Sequence, residues 1–281
     1  MTEPAPAAVH GRLTRLMFGD GSRRALIKRG LAVLGIAVLL SVALVAARLA
    51  PLLLEPNRYA TIASIERNAD YRDATLMREA WSLPVAALYA QQIFEFQHNQ
   101  SFCGPTSAAD VLHSMGDPRS QDQMLANTSF TTWFGYLPGG LTLDQEADLL
   151  RRQSGRLVRV LRGLSLEQFR AEMHAVNDPG RRYIVNFHRG PIFGRGHGHF
   201  SPLLAYLPEQ DLVLVGDVNS DYRPFLVAAA RLWQATETID DATGEKRGLA
   251  VLSVDLSNQS DARTDASGPD GGIAPATKER R

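Results

Sequence analysis

Residues Gly30–Ala47 form a continuous run of 18 uncharged, mostly apolar residues. At 1.5 Å per residue a helix over this run spans about 27 Å, close to the hydrocarbon thickness of a bilayer. Arg48 interrupts the run before a second apolar stretch, Leu49–Leu54. Six basic residues (Arg12, Arg15, Arg23, Arg24, Lys28, Arg29) precede it, opposed only by Glu3 and Asp20. Positive charge stays on the cytoplasmic side of a span. The expectation is therefore a basic cytoplasmic leader over residues 1–29 and an uncleaved signal anchor over 30–54. The protein would be single-pass in the inner membrane, with the rest of the chain in the periplasm. Two other readings compete. A cleaved signal has a shorter apolar core, although Val45-Ala-Ala47 offers a small-residue cleavage site. A buried helix of a soluble protein rarely lacks polar residues on every face.

The remaining chain has the means to fold as one sizeable domain. Of 281 residues 44% are hydrophobic, and the formal net charge is zero, so no bulk field points to nucleic acid. There is a single cysteine, Cys103. No intrachain disulfide can form, and that thiol is either a small buried hydrophobe or a reactive group. A polar stretch over residues 257–281, rich in Ser, Asp, Gly and charged residues, reads as a disordered tail. This leaves 55–256 as the folded domain.

Within that domain the hydrophobic period changes from helical to alternating. Helical spacing runs through Leu76, Trp81, Leu83, Ala87 and Leu88, and again from Cys103 to Met115, where Gly116-Asp-Pro118 stops it. Thr142–Arg152 and Ser165–Val176 each open on a hydroxyl residue with Gln three positions on, the pattern of a capping box. The later segments 183–187, 199–206, 212–217 and 249–254 read as strands, with a helix predicted over 226–238. The layout is α+β, a helical half followed by an antiparallel sheet half.

Cys103 lies in the first turn of its predicted helix, in Gln100-Ser-Phe-Cys-Gly-Pro-Thr-Ser107. Unpaired amides and the positive end of the helix dipole there favour thiolate over thiol. His199 opens one strand and Asp217 closes the next, across the link Pro208–Asp211. A turn centred on Pro208 sets the two directly opposite; one centred on Glu209 makes them diagonal neighbours, within reach of each other either way. A bulge between them is expected to move one to the other face. An aspartate holding one ring nitrogen leaves the other to act as base toward a thiol. Gln97, six residues before Cys103, can offer its amide to an oxyanion beside the Cys103 backbone N–H. His197-Gly-His199 is a weak metal pattern, with no nearby Cys or Glu set to complete it. His98, His113 and His188 read as surface or structural residues.

Taken as a set, several pieces resemble the phytochelatin synthase family of the papain-like cysteine peptidase superfamily. They are Gln97 followed by Cys103-Gly104, Phe187-His-Arg-Gly190, Gly198-His-Phe-Ser-Pro202, Leu212–Val218 and Leu232–Gly248. The resemblance covers roughly residues 75–255. It implies a two-lobed fold with a cysteine at a helix start and a histidine and aspartate on a sheet. It implies action on glutathione. Cys103 would attack the Cys–Gly amide, His199 would protonate departing glycine, and the γ-glutamylcysteinyl group would pass to glutathione or water. Gln97 would carry the oxyanion role, and Arg247 with Lys246 would hold a substrate carboxylate. No resident cofactor is implied; heavy-metal ions would enter as thiolate complexes of the substrate. Beyond Val254 the sequence is a polar tail with no thiol, where the plant pattern has a Cys-rich region linked to metal response. That favours the short bacterial form, in which hydrolysis dominates. Two alternatives remain: another papain-like peptidase of the envelope, and a non-catalytic, membrane-tethered binding domain.

Overall fold

A single long helix and a separate sheet-centred domain make up the computed structural model, which describes residues 21–54 and 71–254. The helix, α1, runs Gly21–Leu54. It starts within the stretch read as a leader, so Arg23, Arg24, Lys28 and Arg29 form its first turns. Its apolar portion Ala25–Arg48, 24 residues, is long and apolar enough to cross a membrane, and none of that portion is buried. Residues 1–20, the segment 55–70 and the tail read as disordered lie outside the described residues.

The domain opens with α2 (Ala74–Ser82), whose first amides are accepted by the Asp73 side chain, and α3 (Pro84–Ala90). Pro84 cannot continue α2 and suits the first turn of α3, so one helical pattern is split in two. Then come α4 (Cys103–His113), α5 (Gln121–Met124) and α6 (Leu143–Ser154). The second half holds β1 (Val158–Arg162), α7 (Leu166–Val176), β2 (Arg181–His188), α8 (Gly190–Phe193), β3 (Gly198–Leu207) and β4 (Leu212–Val215). It ends with β5 (Phe225–Ala228), α9 (Ala229–Thr236) and β6 (Gly248–Ser253). Both predicted capping boxes form: Thr142 with Gln145 at α6, and Ser165 with Gln168 at α7.

The six strands make one sheet in the order β1-β6-β2-β3-β4-β5, antiparallel throughout. Helices cover both faces. Ala108, Val111 and Leu112 of α4 pack with Phe200, Leu204, Leu214 and Ala250 on one face. Phe169 and Met173 of α7 and Leu232 of α9 pack with Val185, Leu203, Val213 and Val251 on the other. The helical half is thus not the only cover of the sheet. Strand β5 takes the first residues of what the sequence pattern predicted as one helix over 226–238.

A bulge in β3 decides the side on which Asp217 emerges. Leu207 faces Leu212, Tyr206 faces Val213 and Ala205 faces Leu214; then the register shifts, and Leu203 faces Val215. The turn is therefore centred between Glu209 and Gln210. Extended without a shift, that register would place Asp217 across from Pro202, on the face opposite His199. The extra residue is Leu204, which joins Ala205 in one core while Leu203 and Tyr206 lie in the other. The slip restores Asp217 to the face of His199. The sequence-based expectation is thus corrected: the bulge aligns the pair rather than separating it.

Gly216 makes the bulge possible. A Cβ at that position would lie 2.9 Å from a methyl of Leu204, which is fully buried and has no space to yield. Gly216→Val is expected to cost about 1–3 kcal/mol through overpacking. An unchanged thermal midpoint for the folded domain would contradict this.

Candidate active site

Where β4 ends, β3 continues without a neighbour on that side, and the site occupies this notch. The Pro202 carbonyl accepts from the Gly216 amide, so it faces β4. Backbone groups alternate along a strand, so the Phe200 amide faces the same way, just past the last β4 pairing. The Cys103 sulfur accepts that amide, along with the amide of Gly104 in its own helix. This places the thiol beside the residue that follows His199. Cys103 itself is 8% exposed.

His199 and Asp217 are joined directly. Nε2 of His199 lies 3.0 Å from Oδ1 of Asp217, with both side chains buried. That contact engages one ring nitrogen, Nε2, the other being Nδ1. Phe187, opposite His199 on β2, stands edge-on to the imidazole with ring centroids 5.7 Å apart and helps fix its plane.

Arg189, just beyond β2, completes a network that the sequence reading did not assign. Its Nη2 donates to Asp217 Oδ1 at 2.9 Å, and its Nη1 lies 2.7 Å from Oδ2. The guanidinium carbon sits 3.7 Å above the Tyr222 ring, a cation–π contact. The Asn219 amide also donates to Asp217 Oδ1, at 2.9 Å. Burial alone would raise the Asp217 carboxyl, but Arg189 and His199 overcome it and hold the group far below the usual carboxylate range. Asp217 is thus ionised and fixed, which in turn fixes the imidazole. Arg189 lies inside Phe187-His-Arg-Gly190, so the motif was visible while its partner, 28 residues on, was not.

The thiol behaves differently from its sequence-based expectation. Burial pushes Cys103 up to about 11, and the nearby Glu146 adds to the rise. The Phe200 and Gly104 amides and Arg189 pull the other way without overcoming it. Position at a helix start is therefore outweighed by desolvation.

Gln97 and Gln100 line a small, partly open depression together with Arg189, His197, His199 and Asn219. The Gln97 backbone N–H donates to the Val218 carbonyl at 2.8 Å, which ties the segment before Cys103 to the residue after Asp217. Its side-chain Nε2 donates to the Asn99 carbonyl at 3.0 Å and carries a second N–H. Arg247 is held by Asn186 Oδ1 at 3.0 Å and Asp240 Oδ2 at 3.3 Å, with its guanidinium against Gly198 and its charge felt by Cys103. Lys246 is not brought to the same place: its ammonium pairs with Glu237, and its side chain is 44% exposed. Among the described residues, no group of three or more His, Cys, Asp or Glu side chains is arranged to hold a metal ion.

A thiol at the first turn of a helix, held by the amide of the residue after a histidine whose imidazole a buried carboxylate grips, suits a cysteine-based enzyme. Comparison with known proteins narrows this. The family model for phytochelatin synthase matches residues 69–249, and the chain belongs to that family. It is 28% identical over 179 residues to glutathione gamma-glutamylcysteinyltransferase 2 of Arabidopsis thaliana, covering 57% of this chain and 38% of that protein. To transferase 1 of Triticum aestivum it is 34% identical over 173 residues, covering 57% of this chain and 34% of that protein. To transferase 3 of Lotus japonicus it is 38% identical over 103 residues, covering 32% and 22%. The matches thus span between 22% and 38% of these relatives' length. Among solved structures, the peptidase domain of Streptococcus ComA matches at TM-score 0.36 and 18% identity, over 57% of this chain and 97% of that one. A C39-like peptidase of Bacillus anthracis matches at TM-score 0.41 and 14% identity, over 58% and 94%.

Proposed function

We propose that this protein is a γ-glutamylcysteinyl transferase acting on glutathione through a thioester on Cys103. The observation that carries the reading is the buried His199–Asp217–Arg189 network set beside the Cys103 sulfur. His199 Nδ1 takes the thiol proton as the sulfur attacks the carbonyl joining cysteine to glycine in glutathione. The negative charge that develops on the carbonyl oxygen is met by the Cys103 backbone N–H and the spare N–H of Gln97. The imidazolium, stabilised by Asp217, returns the proton to the glycine nitrogen, and free glycine leaves. An acceptor then attacks the thioester, with His199 as base: the amine of a second glutathione gives the longer peptide, and water gives γ-glutamylcysteine. A neutral thiol poised for a base, rather than a standing ion pair, fits the raised Cys103 value.

Arg247 is positioned to bind a carboxylate of the γ-glutamyl group, since its charge reaches Cys103 and its burial leaves it incompletely solvated. Arg247→Ala is expected to raise KM about tenfold or more with a smaller change in kcat. A kcat loss at unchanged KM would remove the binding role. Lys246 would first have to leave Glu237 to join it. Heavy-metal ions belong in this scheme as thiolate complexes of the substrate. The basic residues ahead of Ala25–Arg48 support an inner-membrane anchor with the domain in the periplasm. Recovery of the full-length, unprocessed protein in the soluble fraction of cells would refute that placement.

The test is product analysis after incubating the protein with glutathione, with and without cadmium or zinc. Longer γ-glutamylcysteine oligomers indicate transfer, and the dipeptide alone indicates hydrolysis. Turnover confined to other peptides would point instead to a peptidase of the envelope.

A further inference from the structure

The catalytic scheme uses no residue of α6, yet α6 carries a buried acid against the nucleophile's helix. Glu146 is 0% exposed, and neither of its carboxyl oxygens has a hydrogen-bond partner. Its Oε2 presses on Gly104, the residue after Cys103; a Cβ there would lie 2.6 Å from the oxygen. A carboxyl in such a place favours its neutral form, and burial raises Glu146 to about 8.

The charged groups around it are few. On α4, the turn it meets, Gly104–Ala109, carries no titratable side chain besides Cys103 at its start, and Asp110 further on is engaged by the Glu95 amide. On β1, Arg162 turns to Asp144 and Glu245, and Arg159 is exposed. Strand β6 contributes no charge, and Arg247, just before it, acts on the sulfur. On its own helix Asp144 faces Arg162, Asp148 faces Arg151 and Arg152 is exposed. The remaining charges near the thiol are Arg189 and the His199–Asp217 pair. Among the described residues, no cation is therefore placed to absorb a negative charge on Glu146, and two anions side by side in this core are disfavoured.

We propose that Glu146 is a positioning residue that governs the reactivity of Cys103: uncharged, it tolerates a thiolate beside it, and ionised, it keeps the thiol protonated. The inference rests on Cys103 being the nucleophile. As pH rises through the ionisation of Glu146, the wild-type sulfur gives up its proton less readily than it would beside a neutral side chain. Acyl transfer should therefore lose ground on the alkaline side.

Because the chain has one cysteine, its alkylation reports on one group. The experiment measures the rate of iodoacetamide labelling from about pH 6 to pH 10 in the full chain, for wild type, Glu146→Gln and Glu146→Leu. Far-ultraviolet circular dichroism checks the fold, and the leucine variant suits the apolar site should glutamine leave the core unstable. The expected result is equal rates near pH 6, then labelling in both variants about tenfold faster than wild type above pH 9, one unit of thiol ionisation being tenfold in thiolate. Superimposable profiles in folded variants would overturn the inference. Glutathione turnover, assayed on the same samples, keeps the two claims apart. Divergent profiles without turnover leave the Glu146 coupling standing and remove the proposed function, whereas turnover with superimposable profiles does the reverse.

Discussion

Arg189→Met is expected to destabilise the domain by about 3–5 kcal/mol, because it strips the cation from a carboxylate that has no exposure to water. For a domain of this size that lowers the thermal midpoint by on the order of 10 °C. The pH dependence should also weaken. In the wild type, Asp217 is held below its unfolded value. Its contribution is therefore present above the usual carboxylate range and lost as pH falls through the depressed folded value. Without Arg189 the carboxyl is held down less strongly, so this loss of stability in acid should be smaller. The deficit relative to wild type should consequently be larger at about pH 7 than at about pH 3. Thermal unfolding at the two pH values checks this, and a deficit independent of pH would mean that Arg189 acts through packing on Tyr222 alone.

Cys103→Ala is expected to abolish glycine release from glutathione, with a fall on the order of 10⁴- to 10⁶-fold, as for the loss of a catalytic nucleophile elsewhere. The fold should persist, since alanine leaves the Phe200 amide at the open end of β3 and removes only one buried sulfur. The His199 and Asp217 contacts do not depend on that sulfur. Glycine release measured by mass spectrometry, alongside circular dichroism, separates lost chemistry from lost structure. Residual turnover near the wild-type rate would mean that the sulfur is not the attacking group.

Much of the frame was legible because local signals and tertiary structure agree. The Thr142 and Ser165 capping boxes announce α6 and α7, and the apolar runs after Arg181, Gly198, Gln210 and Arg247 announce β2, β3, β4 and β6. Strand β1 escaped notice because Arg159 and Arg162 interrupt its short apolar run. Strand β5 was absorbed into a helix because Phe225–Thr236 is apolar enough to satisfy either period until its pairing with β4 settles the matter.

The site followed the same division. Cys103, His199, Asp217 and Gln97 stand in short recognisable contexts. What brings two of them together, a one-residue slip at Leu204 relieved by Gly216, has no local sequence signature. Arg189 owes its meaning to a partner on another segment. Glu146 sits among Asp144, Gln145 and Asp148, so its helix position alone gave no reason to place it in the core. The upward shift of the thiol has the same origin: the helix start is visible in sequence, and the depth of burial around it is not.

The decisive measurement is the intact mass of the protein, quenched in acid seconds after mixing with glutathione, followed by peptide mapping. The account predicts a transient adduct equal to glutathione less glycine, located on Cys103 and absent from Cys103→Ala. Glycine release with no adduct on that residue, or an adduct on any other, would contradict it.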